Sequence, residues 1–226
     1  MSEANYLLGQ KVFQIIREDI IAGKYRQREE LREIAIGDEL QVSRTPVREA
    51  LRQLELEGLV TIVPNRGAYV VGISCQDMKD MFEIRLLLEG FCAGKAAKSA
   101  TSEQLEALEE VMVLTEYHIK KGHFRQLVGL DNKFHEILYE AGGSRILEHA
   151  LKNYHYYLKQ ARRFSLLSQG RASSSVQEHR RILEAVKAQD QKKAEDAVCQ
   201  HLIHTIKNID TYGWENISGG QKNGKN

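Results

Sequence analysis

Cysteine is scarce in this chain: three in 226 residues, at positions 75, 92 and 199, with no C-x-x-C pair. An odd, widely spaced set excludes a disulfide framework and fits reduced thiols in a cytoplasmic protein. An excess of one charge is also missing. Lys and Arg number 32 against 31 Asp and Glu, a net charge of +1. That balance excludes a general nucleic-acid coat and a membrane-surface protein. No apolar run approaches the roughly 18–20 residues that cross a bilayer, and the N-terminus lacks the apolar segment of a signal peptide. What is present is a 42% hydrophobic content, ample for a packed core, in a length that suits two modest domains or one large one.

The most informative stretch is Ser43-Arg44-Thr45-Pro46-Val47-Arg48-Glu49-Ala50-Leu51-Arg52-Gln53-Leu54. Val47, Ala50, Leu51 and Leu54 recur at helical spacing and predict a core-facing stripe. Arg44, Arg48 and Arg52 recur every four residues, so they share the opposite edge. A Ser or Thr is expected as N-cap, and Pro46 suits a first turn, where a missing N–H costs little. Such a helix fits the DNA major groove. Its bland alternative is a solvated face whose arginines pair with Glu49 and Glu55.

Neighbouring patterns favour the groove. Val12, Ile15, Ile16 and Ile20 predict one helix, stopped by Gly23; Leu31, Ile34, Ala35 and Leu40 predict a second, joined by Gln41-Val42 to the arginine helix. After Gly58, two β-branched runs, 59–63 and 68–71, flank the turn Pro64-Asn65-Arg66-Gly67. Three helices and a hairpin predict a winged helix-turn-helix over residues 1–73. Against this, residues 1–71 carry ten Lys/Arg and eleven Asp/Glu, so any DNA-attracting field must be local.

Residues 10–73 resemble the DNA-binding domain of the GntR family of bacterial transcription regulators. The run Val42–Leu51, the spacing Leu54-x-x-x-Gly58-Leu59-Val60 and the wing Arg66-Gly67-Ala68 carry the likeness. It implies DNA contacts from Arg44, Thr45, Arg48, Arg52, Arg66 and Gly67. The chain departs from the family at Gln27-Arg28, where Pro-Gly is common, at Gln41, where Gly is usual, and at Ile34, where some members have Arg.

From about 74 to 212 only helical periodicity remains, over 77–98, 102–121, 124–141, 144–167, 173–189 and 191–210. Six helices with short connections predict an all-α antiparallel bundle, and residues 213–226 are expected to form a disordered tail. Three stripes contain residues that an apolar core would reject. Asp131 and His135 sit four apart on one helix and converge on one patch. His179 and His201 fall on apolar faces of two others. A buried carboxylate costs several kcal/mol unless paired or coordinated, and one divalent ion would satisfy all four groups.

This half resembles the FCD effector domain, the helical partner of a large GntR subfamily. Asp131-x-x-Phe134-His135, Glu178-His179-Arg180-x-Ile182 and His201 carry that likeness. It implies that Asp131, His135, His179 and His201 hold a divalent metal, with Zn, Ni or Mn suited to such ligands, at the base of a cavity lined by Glu83-Ile84-Arg85. His204 lies outside the pattern. Arg85 is either half of a buried pair with Glu89 or a fork for a ligand carboxylate; Tyr154, Tyr157, Arg162 and Arg163 are further candidates. The expectation is a fold that is mainly α. It is also a non-enzymatic, cytoplasmic homodimer that binds a palindromic operator, most simply as a repressor, and answers to a small organic acid. A metal that only ties helices together and a metal-dependent hydrolase are the alternatives.

Overall fold

The computed structural model describes residues 3–217, which divide into two compact units at Ser74 and Cys75. The first contains α1 (Glu3–Ile21), β1 (Glu30–Leu31), α2 (Glu33–Leu40), α3 (Arg44–Leu56), β2 (Val60–Val63) and β3 (Gly67–Val70). Its core comes from the stripes that periodicity marks: Val12, Ile16 and Ile20 of α1 lie buried with Val47, Leu51 and Leu54 of α3. At their edge Arg17 donates to Glu57 at 2.7 Å.

Two details differ from the sequence reading. The wing has a third strand, with order β1-β3-β2 and antiparallel pairing of Leu31 to Ala68 and Val63 to Gly67. Leu31 therefore belongs to a strand. With α2 starting at Glu33, its inward residues are Ile36 and Gly37, while Ile34 is 60% exposed and Ala35 also faces solvent. A strand of two residues is too short for periodicity to register.

The turn between α2 and α3 is closed by backbone. Val42 N–H donates to the Gly37 carbonyl at 2.9 Å and Gln41 N–H to Asp38 at 3.3 Å, with Gln41 left-handed at φ 54°. This is a Schellman ending, in which C′ adopts αL. A Cβ on Gly37 would sit 2.9 Å from the Val42 oxygen, so glycine is what lets the chain fold back there. Of the Ser or Thr expected as cap, Ser43 takes the N-cap position in extended conformation but makes no side-chain cap bond.

The second unit is helical: α4 (Cys75–Ser99), α5 (Ser102–Lys120), α6 (Phe124–Ala141), α7 (Arg145–Tyr157), α8 (Lys159–Leu167), α9 (Arg171–Lys187) and α10 (Gln191–Tyr212). Thr101 and Gln104 close a reciprocal capping box on α5. The helix expected over 144–167 is two helices meeting at Leu158 (φ −86°, ψ 9°). No Gly or Pro marks that break; the Arg162 Nη2 donates to the His155 carbonyl at 3.4 Å, a side chain inserted at the kink. α4 and α10 approach closely, since a Cβ on Gly90 would lie 2.8 Å from the Cys199 sulfur.

The start of the expected tail is not disordered. A 3₁₀ turn spans Trp214–Asn216; Trp214 is buried, meets Phe82 edge-on at 5.7 Å between centroids, and donates to Asp210 at 2.6 Å. The remainder, 218–226, lies outside the described residues. Among the described residues no helix is long and apolar enough to cross a membrane, and all three cysteines are free thiols.

Candidate DNA face and metal centre

The arginine helix is amphipathic as read. Val47, Ala50 and Leu54 are fully buried, while Arg44, Thr45, Arg48 and Arg52 are exposed, as are Arg66 and Gly67 in the wing. A groove of about 770 Å³ opens between α2, α3 and the hairpin, and Arg44, Arg48, Arg52 and Gly67 line it; Thr45 and Arg66 do not. Gly67 takes φ +112°, where a side chain is strained. The arginines pair neither with Glu49 nor with Glu55, which accepts from the Ile62 N–H at 2.7 Å. Instead Glu33 accepts from Arg44 and Arg48 at 2.9–3.1 Å. The Arg48 bond holds the Glu33 carboxyl below its usual range despite partial burial, with Arg44 assisting.

In the helical unit three imidazoles meet. His135 of α6, His179 of α9 and His201 of α10 are each at most 5% exposed. One ring nitrogen from each lies within 4.8 Å of the others. Ring centroids are 5.2 Å apart for His135–His179, 5.4 Å for His135–His201 and 4.6 Å for His179–His201. Phe134 stacks on His179 at 4.3 Å and fixes its plane. Glu178 Oε2 lies 2.8 Å from His201 Nδ1, so Nδ1 donates to the carboxylate and Nε2 is the nitrogen turned to the group. Burial, then the neighbouring imidazoles, pushes His135 well below the usual imidazole range; burial first, then His201, takes His179 down to about 3. Both rings are therefore neutral at physiological pH, the form that ligates metal.

Asp131 stands beside this group without joining it. Its Oδ1 is 3.8 Å from His179 Nε2, while Oδ2 accepts from Arg162 Nη1 at 2.6 Å. Arg85 makes the Glu89 pair that was its bland alternative: Nη2 donates to both carboxylate oxygens, at 3.0 and 3.1 Å. Its Nε and Nη1 have no partner. A third pair joins Arg171 Nη2 to Glu178 at 2.8 Å. All three pairs are nearly excluded from solvent. Burying ion pairs rarely stabilises a fold beyond what apolar residues would, so three around one cavity point to function.

That cavity, bounded by Arg85, Asp131, His135, Arg162, Arg171 and His201, measures about 20 Å³, room for about one water. Arg162 faces it, whereas Arg163 faces solvent. Burial lowers Arg162 to about 10, partly offset by Asp131. Tyr154 and Tyr157 are half-buried and do not line it. Sequence reasoning missed three participants. His155 is 5% exposed, with Nδ1 3.2 Å from the Tyr139 hydroxyl, and Tyr139 also donates to Glu89. Its spacing from the buried Leu151 and Leu158 is the signal that marked the other histidines. Glu178 interrupts no apolar stripe, and Arg171 fell between the helices expected over 144–167 and 173–189.

Known proteins align with both units. The family model "Bacterial regulatory proteins, gntR family" matches residues 8–70, and that of the FCD domain matches 80–204. The chain is 29% identical over 195 residues to the uncharacterized HTH-type transcriptional regulator YdhC of Bacillus subtilis, covering 86% of this chain and 87% of that one. It is 27% identical over 209 residues to the HTH-type transcriptional repressor RspR of Escherichia coli, covering 92% of each. The solved structure of Escherichia coli McbR/YncC has the same fold, with a TM-score of 0.71 at 19% identity over 91% of this chain and 99% of that one.

Proposed function

Since the chain belongs to the gntR family of bacterial regulatory proteins and carries an FCD domain, we propose that it is a metal-dependent sensor of a small organic acid. It is a DNA-binding transcription regulator and not an enzyme. In our reading α3 enters the major groove and presents Arg44, Arg48 and Arg52 to bases and phosphates, with Thr45 at the helix start and Arg66-Gly67 toward the adjacent minor groove. Two copies would set two such helices on a palindromic operator. Repression relieved by the acid is the simplest mode.

The observation that carries the sensor is the convergence of three buried imidazoles whose surroundings leave donors and lone pairs unspent. His135 Nδ1 and His179 Nε2 are buried with no hydrogen-bond partner, a costly arrangement in an apolar core. His135, His179 and His201 fit a divalent ion such as Zn, Ni or Mn, and the Asp131 carboxylate beside His179 fits as the fourth ligand. Glu178 orients His201 from behind. A bound ion supplies positive charge to a carboxylate oxygen. The free Nε and Nη1 of Arg85 offer that carboxylate a second, charge-assisted contact.

The small cavity favours one other reading, in which the ion only ties α6, α9 and α10 together. Elemental analysis of the purified protein and of His135→Ala, paired with mobility-shift titrations against a panel of hydroxy, sugar and amino acids, separates the two. The sensor reading expects at least half an equivalent of metal per chain in the wild type, its loss in the variant, and an acid that shifts DNA affinity only with metal bound. Metal retained without any responding acid leaves the structural role. Equal metal content in His135→Ala removes the site.

A further inference from the structure

Arg44 and Arg48 do not stand free on the face of α3, because one carboxylate grips both. Through Oε2, Glu33 accepts from Arg44 Nε at 3.1 Å, Arg44 Nη2 at 2.9 Å and Arg48 Nη2 at 2.9 Å; through Oε1 it accepts from Arg48 Nε at 3.0 Å. Glu33 is the first residue of α2, with its side chain 25% exposed, against 60% and 50% for the two arginines. The carboxylate is thus the floor of the cluster, and the guanidinium edges open onto the groove. Each guanidinium has five N–H donors. Glu33 uses the Nε side of each and leaves the Nη1 edge, a planar fork, for a second acceptor.

We propose that Glu33 is a positioning residue that lowers affinity for DNA of any sequence and sharpens the choice among sequences. The proposal rests on the reading of α3 as the recognition helix. Two physical effects act in opposite directions. The carboxylate cancels one of two positive charges on a unit whose residues 1–71 hold ten basic and eleven acidic groups, so it weakens the phosphate attraction that dominates nonspecific binding. It also fixes the planes of two side chains that would otherwise each keep about 2 kcal/mol of rotamer freedom. Nonspecific attraction to the phosphate backbone follows chiefly the charge. A guanine edge responds to a correctly oriented fork, since the bidentate contact to O6 and N7 depends on geometry. Removing the charge at Glu33 should therefore strengthen binding and blur it.

The test uses the full chain as wild type, Glu33→Gln, Glu33→Asp and the double variant Arg44→Ala/Arg48→Ala. Each is titrated with a random-sequence duplex over a range of KCl, and each is used to select from a random duplex pool. Glu33→Gln keeps the shape of the side chain at a partly exposed position, and melting curves verify its fold. Expected for Glu33→Gln are roughly 5–10-fold tighter nonspecific binding near 0.1 M salt, a log–log salt slope steeper by about one, and a less constrained selected sequence. Glu33→Asp, which keeps the charge, should stay near wild type. Unchanged slope and unchanged constraint in Glu33→Gln overturn the proposal. So does a uniform loss of binding to all DNA, which would make Glu33 itself a contact. If Arg44→Ala/Arg48→Ala binds like wild type, the recognition-helix reading fails first. If it loses binding while Glu33→Gln is indistinguishable from wild type, only the role of Glu33 falls.

Discussion

A histidine in a core is a pH-dependent liability, and the helical unit holds several. Burial takes His179 from its usual 6.5 to about 3 and shifts His135 and His155 the same way. As pH falls, the unfolded chain takes up these protons before the folded one does. The stabilising contribution is therefore complete above about pH 6.5 and is lost progressively toward pH 3. In chelator-treated protein, acidification from pH 7 to pH 5 should remove about 2 kcal/mol through His179 alone, read as a fall in the urea midpoint. Glu178 behaves differently: burial raises it, but bonds from His201 and the charge of Arg171 prevail and hold it at about 2. Its loss belongs below pH 4.5, so the two effects separate on the pH axis. A flat midpoint between pH 7 and 5 would contradict buried neutral histidines. The four ligand candidates, Asp131, His135, His179 and His201, were legible in the sequence because each interrupts an apolar stripe at helical spacing. The role of Glu178 was not, because a carboxylate behind a ligand leaves no such interruption.

Elements were legible where they are long and illegible where backbone geometry, not side-chain pattern, decides them. Val47, Ala50, Leu51 and Leu54 announced α3 and its buried face. The two-residue β1 and the kink at Leu158 gave no signal, since one is shorter than a period and the other goes with a side-chain bond from Arg162 to the His155 carbonyl rather than with Gly or Pro. Missing β1 displaced the reading of α2 by two residues and put Ile34 inside when it is outside. Gln41 shows the opposite case, a departure visible in the sequence whose consequence is structural. It occupies a left-handed position at φ 54°, where a residue with a Cβ pays roughly 1 kcal/mol that glycine does not. Gln41 is exposed, so its side chain has little packing to lose. Gln41→Gly should raise the stability of the winged unit by about 0.5–1 kcal/mol without changing the recognition face, measured by chemical denaturation with unchanged nonspecific DNA binding. A drop in stability would mean that the greater freedom of the unfolded glycine chain outweighs the relief.

For the whole molecule, the proposed sensor makes a demand that no single site can meet. If an acid at the metal weakens DNA binding by some factor, DNA must weaken acid binding by the same factor, because the two equilibria share one cycle. Couplings of this kind are typically about 1–3 kcal/mol, or roughly 5–150-fold. The expected experiment is a pair of calorimetric titrations with the responding acid, one on the free metal-loaded protein and one on protein saturated with DNA. The ratio of the two dissociation constants should equal the ratio of DNA affinities with and without acid, within error. With the metal chelated, both ratios should collapse to one. The cavity of about 20 Å³ sharpens this demand, because an acid larger than water enters only if Arg85, Arg162 or Arg171 gives way. Each of those is tied to a carboxylate, and those carboxylates, Glu89, Asp131 and Glu178, sit beside the three histidines. Entry of the proposed acid would thus rearrange the groups that would surround an ion, which would give ligand and metal a physical means of differing between two states. Unequal ratios in the two titrations, or an acid response that survives chelation, would place the coupling elsewhere than in this cluster.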